Sequence, residues 1–330
     1  MKICVLGSGT WGSALANLLA YYGNEIYCWS KFDEEAAYLN KTHVHKNLPN
    51  VTLNKNIIFS SDMWTCIDGA SLIVFAVPSS FIRNTALEFK KYYKNQLIVD
   101  VAKGIEKGTL LTTSEIIEDV LNIKDEVVAL TGPTHAEEVS VRIPTCIVAS
   151  CLNQTNALKV QKIFHSDCFR VYTNNDRKGS ELCGAFKNII AISCGISDGL
   201  GFGDNTKAAI ITRGVHELKN LGNVLGCNKD TFSGLAGIGD LIVTCTSKHS
   251  RNNMCGYYIG QGYMVKDAIN KVGMVVEGLA SLDAAIELCN KYEIDMPIVF
   301  GINEIVNNNK SPKDVAVNLL LRDKKAEYIC

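Results

Sequence analysis

The stretch Lys2-Ile3-Cys4-Val5-Leu6-Gly7-Ser8-Gly9-Thr10-Trp11-Gly12-Ser13-Ala14-Leu15-Ala16-Asn17-Leu18-Leu19-Ala20 decides the fold. Its first part is short and apolar, the pattern of a parallel strand buried on both faces. Ser13 to Ala20 holds good helix formers and neither Gly nor Pro. Gly23-Asn24 then break the helix, and Glu25-Ile26-Tyr27-Cys28-Trp29 reads as a second strand. Strand, glycine-rich turn, helix and strand form the context in which G-x-G-x-x-G marks a dinucleotide site. Gly7 permits the tight turn, Gly9 lets the backbone approach a pyrophosphate, and Gly12 lets the helix pack on the strand. The pyrophosphate would rest on the helix N-terminus, where unpaired N–H groups and the dipole favour an anion.

An acidic residue at the end of the second strand would bond the ribose 2′-OH of NAD. Here the strand ends Trp29-Ser30-Lys31-Phe32, with no acid. Lys31 is either a cation for the 2′-phosphate of NADP or a solvent-exposed loop lysine. Asp33-Glu34 read as the first turn of a short helix, and Ala37 to Asn56, with His43, His45 and Pro49, as loop. His43-x-His45 lacks partner ligands and reads as a surface pair; no metal is expected.

Further strands are read at Ile57–Phe59, Ser71–Val77, Leu97–Val101, Val127–Leu130, Cys146–Ser150 and Phe169–Thr173. A helix runs from Phe81 to Lys90. Lys103 directly follows a strand, on the edge where ligands bind in such folds, as a ligand cation or a surface lysine. Thr131 to Glu138 form another strand-to-helix turn, in which Thr134 reads as an N-cap with Glu137 as capping-box partner. His135 is a catalytic acid or a hydrogen-bonded structural histidine.

After about Asn174 helical patterns take over: Gly179–Ile196, Asn205–Leu221, Ser250–Gln261, Met264–Lys271, Gly278–Lys291, Pro297–Asn307 and Pro312–Leu320. The fold class is therefore α/β: a Rossmann-like, mostly parallel sheet over residues 1–178, then an all-helical domain over 179–330. No Pro/Gly/Ser linker divides them, so the halves should pack around a shared cleft.

The 330 residues are 47% apolar and 20% charged, with a formal net charge of −1. That composition is globular, and its charge offers no field for nucleic acid or a membrane surface. The 13 cysteines are scattered, without zinc spacing, and read as small buried hydrophobes of a reducing compartment. With no signal peptide and no apolar run of spanning length, the cytoplasm is the expected location.

The helical half carries the chemistry. Lys187 stands among small and apolar residues in Leu182 to Ala191. A lysine there either snorkels or is buried with a lowered pKa, ready to exchange a proton. Gly199, Gly201 and Gly203 suit a backbone passing close to another segment. Asp240 sits at a glycine-rich turn. Ser250, Arg251 and Asn252 form a phosphate-binding set before a helix.

Together these segments resemble the bacterial-type NAD(P)-dependent glycerol-3-phosphate dehydrogenases. The resemblance spans nearly the whole chain. It is carried by GSGTWGSALA from Gly7, VPSSFIR from Val77, KGIEKG from Lys103, GPTHAEEV from Gly132, GAFKNIIAI from Gly184, SDGLGFGDNTKAAIITRG from Ser197, LAGIGDLIVTCTSKHSRN from Leu235 and VVEG from Val275. The helical half is similar to that of 6-phosphogluconate dehydrogenases. The resemblance implies reduction of dihydroxyacetone phosphate to sn-glycerol 3-phosphate for phospholipid synthesis, with NADP(H) or NAD(H) as cofactor. It implies that Lys187 is the proton donor and acceptor, and that Lys103, Gly132, Thr134, Asp240, Ser250, Arg251 and Asn252 hold substrate. Besides the glycines, Thr10, Trp11, Lys31, Lys103, Ala136, Arg251, Val275 and Glu277 would hold the cofactor. The expected partners are a phosphorylated small molecule and, as an assembly, a homodimer, with no nucleic acid and no membrane insertion. A β-hydroxyacid or 6-phosphogluconate dehydrogenase would usually carry Asn four residues after the lysine, where Ala191 stands. A dinucleotide sensor would not need Lys187, Asp240 and Arg251 together.

Overall fold

A computed structural model describes residues 1–48, 50–324 and 326–327; Pro49 and Cys330 lie outside the described residues. Eight strands form one sheet: β1 Lys2–Leu6, β2 Glu25–Trp29, β3 Ile58–Ser60, β4 Leu72–Phe75, β5 Leu97–Asp100, β6 Val128–Thr131, β7 Thr145–Ser150 and β8 Phe169–Asn174. Their order is β3-β2-β1-β4-β5-β6-β7-β8. All neighbours pair in parallel except β6 with β7. Strand order reverses between β1 and β4, and at such a switch point a crevice opens beyond the strand ends. Both faces of the sheet are buried under apolar side chains, which is why its central strands carry no polar alternation.

The glycine turn follows from packing. Gly7 has φ +120, a backbone that side chains rarely adopt, and a Cβ there would lie 2.8 Å from the Ala76 backbone. A Cβ on Gly12 would lie 2.0 Å from the Gly7 carbonyl oxygen. The helix Thr10–Tyr21 can therefore start directly over β1, and its N-terminus faces the switch point.

Several expected boundaries move. Asp33–Thr42 is a ten-residue helix, so Ala37 to Thr42 are not loop; His43 ends it in the left-handed conformation. A capping box exists at Thr112 and Glu115, not at Thr134 and Glu137. Glu115 accepts from the Thr112 N–H at 2.8 Å at the start of helix Thr113–Leu121. Near Thr134 the helix begins only at Ala136 and lasts five residues. The Thr134 hydroxyl instead donates to the Gly132 carbonyl at 3.1 Å.

The helical half opens with Arg177–Gly199, and the boundary expected at 178/179 falls inside its first turn. This 23-residue helix is the axis on which the others pack; its buried face belongs to a second apolar core. The glycine-rich segment before Asp240 forms a π-helical turn, Leu235–Gly239, leading into the helix Asp240–Thr246. The predicted helix Gly278–Lys291 is broken at Ser281 into two. All twelve described cysteines are free, and ten are buried. No helix among the described residues is long and apolar enough to cross a membrane.

Candidate active site

A cavity of about 450 Å³ lies where the C-terminal edge of the sheet meets the helical half. Three charged side chains from three segments meet in its wall. Lys103 follows β5, Lys187 projects from Arg177–Gly199, and Asp240 opens its own helix. Asp240 is 1% exposed and serves both amines. Its Oδ1 accepts from Lys187 Nζ at 2.5 Å and its Oδ2 from Lys103 Nζ at 2.9 Å. Thr244, one helical turn after Asp240, accepts from Lys187 Nζ at 2.8 Å and donates to the Asp240 carbonyl at 2.6 Å.

These contacts divide the roles. Burial drives the Lys187 pKa down to about 7; Asp240 resists, and the Lys103 charge adds to the fall. Burial would lower Lys103 too, but the Asp240 carboxylate wins and raises it. Burial alone would raise Asp240; the two ammonium groups hold it below the usual carboxylate range. The array is a lasting cation, Lys103, and a lysine able to exchange a proton near neutral pH, Lys187, with the lasting anion of Asp240 bridging the two.

Two helices carry the remaining groups to this point because glycine lets them touch. A Cβ on Gly195 would lie 1.9 Å from the Asn253 carbonyl oxygen, and one on Gly256 would lie 2.1 Å from that of Ile192. The helix Arg251–Gly260 therefore runs against Arg177–Gly199 backbone to backbone, and its first residues stand beside Lys187 and Asn188. Asn252 Nδ2 donates to Asn188 Oδ1 at 3.0 Å, and Asn252 Oδ1 accepts from the Gly278 N–H at 2.9 Å. Ser250 Oγ accepts from the Asn253 N–H at 3.2 Å. Ser250 and Asn252 thus fix this helix end. The guanidinium of Arg251 and the first-turn N–H groups are what it offers an anion.

The other side of the cavity fits a dinucleotide. Gly9 is the N-cap of Thr10–Tyr21 with no side-chain cap, so the first N–H groups remain available. A Cβ on Gly9 would meet nothing within 4 Å, leaving room for a ligand at the backbone. Thr10 and Trp11 line this end, and Ala136, Val275 and Glu277 also line the cavity. Burial raises Glu277, and Arg251 opposes it. Among the described residues no group of His, Cys, Asp and Glu is placed to hold a metal ion.

Most of the residues singled out in the sequence meet here: Gly9, Thr10, Trp11, Lys103, Thr134, Ala136, Lys187, Asp240, Ser250, Arg251, Asn252, Val275 and Glu277 all line the cavity. Gly7 and Gly12 shape the turn beneath it. Gly132 lies behind the wall, where a Cβ would sit 3.1 Å from Ile147 Cα. Lys31 is not among the residues that line the cavity; its side chain is 67% exposed and its amine lies 3.8 Å from the Glu88 carboxylate. His135 lines the cavity with its ring 5.8 Å from that of His249. Burial, then Lys187, lowers its pKa below the ordinary histidine value. Of the three alternating glycines, Gly199 alone is pressed by another segment, its Cβ position 2.2 Å from the Tyr257 carbonyl oxygen. Thr244 and Asn188 were not singled out. The spacing of Thr244 from Asp240, four residues, would have shown it had the intervening segment been read as a helix.

Comparison with known proteins agrees with this geometry. The model of the NAD-dependent glycerol-3-phosphate dehydrogenase N-terminus matches residues 2–157, and that of the C-terminus matches 176–317. A glycerol-3-phosphate dehydrogenase [NAD(P)+] of Lactobacillus delbrueckii subsp. bulgaricus is 49% identical over 99% of this chain and 98% of its own. One of Oceanobacillus iheyensis is 46% identical over 99% and 95%. The crystal structure of glycerol-3-phosphate dehydrogenase from Coxiella burnetii superposes with a TM-score of 0.93 at 34% identity, covering 97% of this chain and 98% of that one.

Proposed function

The chain belongs to the NAD-dependent glycerol-3-phosphate dehydrogenase family, and from that premise we propose that its cavity reduces dihydroxyacetone phosphate reversibly to sn-glycerol 3-phosphate, with Lys187 as proton donor and acceptor. The observation that carries the proposal is the buried Lys103–Asp240–Lys187 array facing the cavity. NAD(P)H, when bound, supplies the hydride for the carbonyl carbon. Lys187 Nζ gives its proton to the carbonyl oxygen as negative charge develops there. Asp240 and Thr244 hold the amine in place, and Lys103 keeps the surroundings positive. Arg251 anchors the substrate phosphate, so binding energy far from the reacting carbon positions it. Residues 1–178 act as the cofactor half and 179–330 as the substrate half. The product feeds glycerophospholipid synthesis in the cytoplasm, from a homodimer.

Loss of the reduced-nicotinamide absorbance on adding dihydroxyacetone phosphate tests the reaction. Lys187→Ala should lower kcat by about 10²–10⁴-fold with cofactor binding intact. Near-normal turnover in that variant would remove Lys187 from the role. A folded protein that binds dinucleotide but turns over no phosphorylated ketone would be a sensor instead.

A further inference from the structure

We propose that Glu35 is the carboxylate that reads the adenosine ribose in this chain, and that it selects NADH over NADPH. The inference rests on the cofactor site described above. The end of β2 carries no acid, but the structure brings one there from the next helix. Glu35, in the first turn of Asp33–Thr42, points back toward the glycine turn. Its Oε2 accepts from Ser8 Oγ at 2.7 Å and from Ser30 Oγ at 2.5 Å. Ser8 stands between Gly7 and Gly9, Ser30 directly follows β2, and both are buried. A carboxylate clamped between the glycine turn and the second strand's end occupies the corner where dinucleotide folds read the ribose 2′ position.

An ionised carboxylate only accepts hydrogen bonds. Oε1 of Glu35 takes none from the described side chains, and so it can receive a 2′-hydroxyl. A 2′-phosphate, itself an acceptor and doubly charged, meets repulsion at the same point. Lys31 does not offset this. Its amine faces the Glu88 carboxylate at 3.8 Å, and Asp33 and Glu34 add further negative charge in the same turn. The cation in the sequence is thus outnumbered by acids, its chain neighbours Asp33 and Glu34 and the Glu88 that the fold brings to it.

Calorimetric titration of the full chain with NADH and with NADPH, without substrate, tests this apart from turnover. NADH should bind at least about tenfold more tightly, the ratio expected for one well-placed charged hydrogen bond. Glu35→Gln should narrow the ratio from both sides, weakening NADH and tightening NADPH. Glu35→Asp keeps the charge and should still reject NADPH. Glu88→Gln, at the surface, should tighten NADPH alone by releasing Lys31. Equal or tighter NADPH binding by the unaltered chain would overturn the assignment while leaving the dehydrogenase reading intact. So would a Glu35→Gln variant that shifts both dinucleotides equally. If that variant does not fold, the wild-type ratio and Glu88→Gln decide. Binding of neither dinucleotide would strike the cofactor site itself.

Discussion

One carboxylate holds two ammonium groups at Asp240, and the sign of its effect on Lys187 can be worked out. The carboxylate favours the charged amine and so resists the fall to about 7 that burial causes. Asp240→Asn removes that support, so the Lys187 pKa falls further, by about 1–3 pH units for the loss of a close opposite charge. In the proposed mechanism reduction needs the protonated amine, so the fall of its rate with rising pH should set in at lower pH in the variant. Oxidation needs the free amine, so its acid limb should move to lower pH as well. Profiles of kcat against pH in both directions check this; limbs that stay in place would show that Asp240 does not set the proton affinity. Lys187 was legible in the sequence because a lone amine in an apolar stretch is costly, and Asp240 because a carboxylate closes a glycine-rich turn. What the sequence did not show is that one carboxylate serves Lys103 as well, 137 residues away. Glu35 was hidden for a similar reason: its place at the strand end depends on a side chain folding back one helical turn.

At the scale of elements, the crossing of Arg177–Gly199 with Arg251–Gly260 sets the distance between Lys187 and Arg251. Gly256→Ala tests it. Alanine favours the helix by about 0.8–1.0 kcal/mol over glycine. Here its methyl would lie 2.1 Å from the Ile192 carbonyl oxygen, which is backbone and cannot swing away. Overpacking of about 1–3 kcal/mol should outweigh the gain, lowering the urea midpoint and raising KM for the phosphorylated substrate as Arg251 shifts. A more stable variant would show that the helices have room. Element types were largely legible, since apolar strands and long helical periods survive any packing. Two T-x-x-E patterns, at Thr112 and Thr134, show the limit. After Thr112 come Ile116, Ile117, Val120 and Leu121, enough apolar residues to bury a helical face. After Thr134 the helix stops within five residues, before Arg142-Ile143-Pro144. The local signal was equal, and the length of the apolar face behind it decided.

Across the whole molecule, the proposed catalytic array draws Lys103 from the sheet half and Lys187 and Asp240 from the helical half, so it is only as exact as the joint between them. That joint is polar and buried. Arg177 donates to both carboxylate oxygens of Glu118, at 2.5 and 2.7 Å, and to the Val127 carbonyl at 2.9 Å. One turn along the same helix, Glu181 accepts from Thr112 Oγ1 at 2.8 Å and from the Ser114 N–H at 2.8 Å. The helix that carries Lys187 is therefore pinned at its start to the elements flanking β5 and β6. Arg177→Ala leaves Glu118 buried without its partner, at a cost of about 3–5 kcal/mol. The paired change Arg177→Met with Glu118→Gln should recover part of that loss, because it removes the stranded Glu118 charge, while the buried Glu181 carboxylate, 3.8 Å from Arg177 Nε, still loses its cation. Chemical unfolding of both variants, followed with their kcat, separates two uses of the joint. Recovery of stability with kcat still depressed would show that the ion pair holds Lys187 in register with Lys103. Recovery of both would show that any filled joint suffices. An Arg177→Ala midpoint equal to the wild type would show that the pair contributes nothing to joining the halves.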